Sequence, residues 1–343
     1  MAAGGEAGTL RGIAGLVRAG LVPADRAAVL TEVAARYPVA VPPTLAALID
    51  RDDPGCPIGR QFLPDAAELD FAEDECADPI GDAAHAPLPG LVHRYPDRVL
   101  LTPGFTCAVY CRFCFRRARV GDGAALSAKE LAAALDYIRA RPQIREVILT
   151  GGDPLMVAPE RLAAIIGALD AMPHLGVIRL HSRVPVAAPE RVTPEVVATL
   201  ATRAALFIAV HANHPREFSA PARAALGRLN RAGVVLLGQS VLLAGVNDDA
   251  ATLEALMRAF VENRVKPYYL HHLDAAPGTA RFRVSIGRGQ ALMRALIGKV
   301  SGLCIPAYVL DIPGGFGKIP VGPVYLAADG LEIADWRSKR HRL

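Results

Sequence analysis

From Arg98 onward, short apolar runs alternate with longer stretches in which apolar residues recur every three or four positions. "RVLLTPG" is followed by "SAKELAAALDYIRAR", "EVILTGGD" by "PERLAAIIGALDAM", and "VIRLHSR" by "PEVVATLATRA". Next, "LFIAVHAN" precedes "PARAALGRLNRAG", "VVLLGQSVLL" precedes "DDAATLEALMRAFVENR", and "PYYLHHLD" precedes "RGQALMRALIGKVSG". The short runs have the length and β-branched content of buried strands, and the longer ones have the period of amphipathic helices. Six consecutive strand–helix units predict parallel strands joined by right-handed crossovers, closed as a barrel or open as a doubly wound sheet. No GxGxxG follows the first strand, which lowers the weight of a dinucleotide-binding sheet.

The flanks read differently. Residues 1–8 are Gly/Ala-rich and predicted to fray, 9–50 carry helical periodicity broken by "YPVAVPP", and 51–97 are rich in Pro, Asp and Gly. The expected division is an N-terminal helical and irregular extension over 1–97, a barrel over 98–302 and a strand- and turn-rich segment over 303–343 that packs on or closes the barrel mouth. The clusters of polar residues fall just after the strands: the cysteines, "TGGD", "HSR", "HANH", "GQS" and "HHLD". In parallel α/β folds that edge is where active sites assemble.

Composition narrows the chemistry. With 52% apolar residues in 343, the chain can bury a substantial core, and its net charge of +4 without a basic block gives no reason to expect nucleic acid. There is no signal-like h-region and no apolar run of about 18 residues, so a cytoplasmic, non-membrane protein is expected. Six cysteines then point to metal or redox chemistry rather than disulfides. Three of them, Cys107, Cys111 and Cys114, share "LTPGFTCAVYCRFCFRRARVG" with Arg112, Arg116, Arg117 and Arg119, which make the loop too polar for a set of small core residues. Structural zinc asks for four ligands, and no second CxxC is present; three thiolates on a [4Fe–4S] cluster leave one iron open to another ligand. The competing reading of "CRFCFRRAR" is a basic, aromatic nucleic-acid module. A brown, anaerobically purified protein would distinguish the cluster from a colourless zinc module.

The spacing Cys-x3-Cys-x2-Cys, with an aromatic before the last Cys, resembles the radical S-adenosylmethionine (SAM) superfamily. Together with "HRYPDRVLL", "TGGDPLM", "HSRVPV", "NHPREF", "QSVLLAGVND", "PYYLH" and "PGGFGK", residues of about 90–325 resemble lysine 2,3-aminomutase. The length and N-terminal region also resemble the branch that makes β-lysine for elongation factor P. The C-terminus departs from the pattern, lacking the cysteine-bearing tail that accompanies a zinc site in clostridial-type members. The resemblance implies an α/β fold, a partial (β/α)6 radical-SAM barrel with a C-terminal segment that binds pyridoxal 5′-phosphate (PLP). It also implies a [4Fe–4S] cluster on Cys107, Cys111 and Cys114, with SAM and PLP as further cofactors. The implied activity is migration of the α-amino group of L-lysine from C2 to C3, with one-electron supply from a reductant such as flavodoxin or ferredoxin.

Of five lysines, at 129, 266, 299, 318 and 339, Lys318 alone follows a glycine-rich approach, and the resemblance places the PLP lysine there. A Walker loop does not fit "PGGFGK", because Ile312 and Ile319 stand where Gly and Ser/Thr are needed. Arg94, Tyr95 and Arg98 of "HRYPDR" are the candidates for the PLP phosphate, since Arg offers planar paired donors. Arg116 corresponds to the family's arginine for the substrate α-carboxylate, and Gly151, Gly152 and Asp153 to its SAM-amine motif. Ser182, Arg183, His211 and Gln239, at strand ends, are expected to touch SAM or PLP. Asp274 and Asp311 match the family's paired aspartates for the lysine ε-ammonium, a cation that is costly to bury unpaired.

Overall fold

The computed structural model describes residues 8–121 and 125–343. Apart from Gly8, the stretch expected to fray lies outside the described residues. The six expected strands are Arg98–Gly104, Glu146–Gly151, Val177–Ser182, Ala205–His211, Val235–Val241 and Lys266–His271, and each pairs in parallel with the next. The helices between and after them are Ala128–Arg139, Pro159–Asp170, Pro194–Ala198, Ala220–Arg231, Ala250–Glu262 and Ile286–Leu296. The third is much shorter than "PEVVATLATRA" suggested. Its continuation is drawn out of helix because the Asp170 carboxylate accepts from the Arg203 and Ala204 backbone N–H groups at 2.9 and 2.8 Å.

Alternation along the strands sorts the side chains. Val147, Leu149, Ile178, Leu180, Ile208, Val210 and Leu236 face outward into one hydrophobic cluster with helix residues such as Ile138, Leu162, Ile165, Leu226 and Leu256. Each fully buried aliphatic side chain of that kind contributes about 1.5–3 kcal/mol. The intervening Glu146, Thr150, Arg179, His181, His211, Gln239, Tyr269 and His271 face the opposite way and line a central cavity. The sheet therefore has a dry outer face under helices and a polar inner face.

Strands beyond the six extend the sheet at both ends. Ala307–Ile312 adds a seventh parallel strand beside Lys266–His271, and Gly317–Pro320 turns back antiparallel to it. At the other edge Leu91–Tyr95 pairs antiparallel with Arg98–Gly104. The result is a nine-stranded, mixed, barrel-like sheet, ordered as the chain runs. It nearly closes on itself: the Lys318 backbone N–H donates to Tyr95 Oη at 2.7 Å, and His85 Nε2 lies 3.0 Å from the Gly315 carbonyl oxygen. The "AYVLDIPGGFGK" stretch, expected to cover the mouth, is thus part of the barrel wall, because its β-branched and aromatic residues pair edge-on before the glycines reverse the chain. Residues 332–342 form a separate small hairpin.

The N-terminal extension has its own core of Ile13, Leu16, Leu30, Val33, Leu45, Ile58 and Phe62, which takes in Val109 from the cysteine loop. No helix among the described residues is long and apolar enough to cross a membrane.

Candidate active site

Every residue singled out from the sequence lines one cavity of about 510 Å3 inside the barrel: the three cysteines, Arg94, Tyr95, Arg98, Arg116, Gly151, Gly152, Asp153, Ser182, Arg183, His211, Gln239, Asp274, Asp311 and Lys318. They arrive there from all nine strands of the sheet and the loops that follow them.

The cysteine loop is gripped by the N-terminal extension. The Arg112 backbone N–H donates to the Gln61 carbonyl oxygen at 2.8 Å and the Tyr110 N–H to the Ala40 carbonyl oxygen at 3.1 Å. Arg112 and Arg117 are 1% and 5% exposed and both donate to Glu68, which is fully buried; Arg281 adds a third guanidinium at 3.5 Å. Burial alone would push the Glu68 carboxyl up, but Arg112, Arg117 and Arg281 together hold it below its ordinary value. These buried ion pairs withdraw two of the loop's four arginines from the surface on which a nucleic-acid module would rely.

The three cysteines are half-buried, set deep in the wall of the cavity they line. Burial pushes Cys114 up to about 11, with Cys111 adding to it, and raises Cys107 and Cys111 as well. Among the described residues no three His, Cys, Asp or Glu side chains converge on a single-ion position. A cubane cluster instead spreads its thiolates over different irons, and its positive iron core suits a set of buried sulfurs. The residues present fit that group.

Beside the cysteines, the strand ending at Gly151 passes very close. A Cβ at Gly152 would lie 2.4 Å from the Thr106 carbonyl oxygen, and Gly151 has φ +103° with a Cβ position 2.0 Å from Thr102 Cγ2. These glycines permit the approach of strand to cysteine loop. The Asp153 carboxylate is fully engaged by the protein, accepting from the backbone N–H groups of Leu155, Arg183 and Val184 and from Ser182 Oγ. Asp153 and Ser182 thus tie two strand ends together. Arg183, expected at SAM or PLP, is likewise committed: it pairs with Glu217 at 2.6 Å, donates to Gln61 Oε1 at 2.7 Å and reaches Cys111 Sγ at 3.2 Å. His211 Nε2 lies 3.2 Å from Asn213 Oδ1, and burial first, then Arg183, holds its pKa well down, so the ring is neutral. Gln239 lies on the next strand, in register with His211.

Across the cavity, register sets the Lys318 environment. Asp311 and Lys318 are directly opposed on antiparallel strands, so their side chains share the inner face and form an ion pair. His271 Nδ1 is 3.1 Å from Lys318 Nζ. Burial, with Lys318 next, lowers His271 to about 4, whereas the neighbouring neutral His271 and the charge on Lys318 outweigh burial and keep Asp311 ionised far below neutrality. Asp274 is pushed up to about 7, first by burial and then by repulsion from Asp311. Arg116 and Arg94 are bridged by Asp82, at 2.6 and 3.0 Å. Arg98 stacks on the Tyr95 ring at 3.8 Å while pairing with Asp97.

The glycines of "PGGFGK" have a steric reason within the fold. Gly315 and Gly317 have φ +88° and +95°, and Cβ positions there would meet His85 Nε2 at 2.8 Å and Tyr95 Oη at 2.9 Å. They let the turn seat against the segment 81–95. A polar heterocycle still fits beside Lys318, because the buried Nε2 atoms of His181 and His271 in the cavity wall have no partner. The strand-borne Glu146, Arg179, Tyr268 and Tyr269 were given no role by the sequence reading, which looked after the strands, and neither were His181 and His271, although they stand in the clusters "HSR" and "HHLD". Polar residues at every second position within apolar runs were the available signal.

The sequence profile of the Radical SAM superfamily matches residues 101–256, and that of Lysine-2,3-aminomutase matches 293–334. The L-lysine 2,3-aminomutase of Acetoanaerobium sticklandii is 42% identical over 289 residues, covering 84% of this chain and 70% of its own. That of Escherichia coli is 37% identical over 286 residues, covering 83% of each chain. The glutamate 2,3-aminomutase of Clostridioides difficile is 35% identical over 314 residues, covering 90% of this chain and 74% of its own. With the cysteine loop and the Lys318 wall facing one cavity, this chain belongs to the lysine 2,3-aminomutase family of radical SAM isomerases.

Proposed function

We propose that the protein is an L-lysine 2,3-aminomutase that isomerises lysine to β-lysine. One observation carries the choice of lysine over glutamate: the Asp274 and Asp311 carboxylates share the cavity, and Asp311 already holds an ammonium on an alkyl chain, that of Lys318. That is the end group of a lysine substrate. A glutamate side chain would bring a third carboxylate to the same place, where like charges cost binding.

When bound, SAM at the cluster supplies a carbon radical that removes and returns one hydrogen, and PLP supplies a π-system that eases nitrogen migration. Cys107, Cys111 and Cys114 hold the cluster, and the backbone at Gly151 and Gly152, with His211 and Gln239, borders the SAM side. Lys318 would hold PLP covalently, and Arg94, Tyr95 and Arg98 would take its phosphate. Arg116 receives the substrate α-carboxylate in exchange for Asp82, and Asp274 with Asp311 fixes the far end, so that the C2–C3 segment is stretched between two ion pairs. Such two-point fixing aligns one C3 hydrogen, and the enclosing barrel excludes water.

The test is steady-state kinetics of Asp274→Asn and Asp311→Asn. Removing one partner of a desolvated ion pair costs about 2–5 kcal/mol, so kcat/KM for lysine should fall on the order of 100-fold in each, with iron and PLP content unchanged. Unaltered lysine kinetics in both variants would remove the basis of the assignment.

A further inference from the structure

Arg183 is not needed by the reading above, yet it is among the most constrained side chains in the molecule. It is 6% exposed, and its partners Glu217 and Gln61 are both completely buried. One guanidinium nitrogen donates to Glu217 Oε2 and Gln61 Oε1; the other donates to Cys111 Sγ at 3.2 Å. Those partners are themselves fixed. Glu217 Oε1 accepts from the backbone N–H groups of Asn213 and His214 at 2.8 and 3.0 Å, and Gln61 Oε1 also accepts from Asn213 Nδ2 at 3.1 Å. Phe62 and Phe113 enclose the guanidinium, with Cζ 4.7 and 5.4 Å from their ring centres. The three cysteines are therefore unequal: backbone N–H groups of Asp153 and Arg116 face Cys107 and Cys114, and the Arg116 and Arg117 charges act on Cys114 at a distance, whereas Cys111 accepts a hydrogen bond directly from the Arg183 guanidinium.

We propose that Arg183 is a positioning residue for the cluster, which fixes the Cys111 thiolate and sets the cluster's reduction potential through a charged hydrogen bond to its sulfur. Potentials of iron–sulfur clusters follow local charge, hydrogen bonds to sulfur and burial, and groups behind a ligand tune the metal. Reduction adds one electron and no proton, from an external one-electron carrier, so it increases negative charge on the cluster and its thiolates. A buried cation bonded to one thiolate stabilises that added charge and raises the potential. Glu217 and Gln61 hold the cation in place, one of them from the N-terminal extension, so the extension reaches the cluster through this arginine.

The experiment is an EPR-monitored potentiometric titration of anaerobically reconstituted holoenzyme without SAM, with iron content measured in parallel. Arg183→Gln should move the midpoint to lower potential, and Arg183→Lys, which keeps the charge but not the fork, should lie between it and the unaltered protein. The double variant Arg183→Gln/Glu217→Gln leaves no stranded buried carboxylate and should still titrate below the unaltered protein, because the donor to sulfur is gone. Midpoints unchanged in all three variants at full iron loading overturn the proposal. So does a loss of SAM affinity in Arg183→Gln with no change in midpoint, which would return Arg183 to the SAM site.

Discussion

Asp274 shows how a single residue's surroundings set a pH dependence. Its carboxyl titrates near about 7 because burial and the neighbouring Asp311 disfavour its charge, while Asp311 stays ionised beside Lys318. A lysine ε-ammonium binds best to two carboxylates, so kcat/KM for lysine should rise as pH increases through about 7 and then level. In Asp274→Asn that rise should be absent, which a pH–rate profile of both proteins checks. Stability has the opposite sign. The folded chain binds this proton more tightly than the unfolded chain, whose Asp titrates near about 4, so stability from this group is present below that pH and lost as pH rises toward about 7. The residue types Asp274, Asp311 and Lys318 could be found in the sequence. What could not be read is that Asp311 and Lys318 face each other, since that depends on which residues the hairpin places in register.

At the scale of elements, the least legible feature is the joint between the N-terminal extension and the cysteine loop. "FLPDAAELDF" gives no sign that Glu68 will receive Arg112, Arg117 and Arg281, because those partners are 44, 49 and 213 residues away. By contrast, the six strands and their helices were legible, since each carries its own period. The last segment was read as strand-rich, but its place in the barrel wall was not, because no helix follows its first strand: the chain instead turns at "PGG" and pairs backward. Glu68→Gln would leave two deeply buried guanidiniums without their anion, a change that costs about 3–5 kcal/mol. Its melting temperature should fall by several degrees and its iron content after reconstitution should drop, whereas replacing Glu254, half-buried on an outer helix and paired with Arg258, should leave the iron content unchanged. A Glu68→Gln protein with wild-type melting and iron would show that the extension does not hold the cysteine loop.

For the whole molecule, the cavity depends on two closures made by different parts of the chain. The extension fixes the cysteine loop at one side, and the contact between Tyr95 and the Lys318 backbone brings the two edges of the sheet together at the other. Between them, the inward-facing strand residues hold polar groups that an ordinary barrel would fill with Val, Ile and Leu. That inversion marks the interior as a reaction chamber, and its most specific feature is the pair of acids that line it together with Arg116. The measurement that bears most directly on this account is a product assay on one anaerobically reconstituted sample supplied with SAM, PLP, reductant and equal amounts of L-lysine and L-glutamate, read by NMR. The account predicts that β-lysine accumulates while glutamate is unchanged; β-glutamate formed in preference to β-lysine would contradict it.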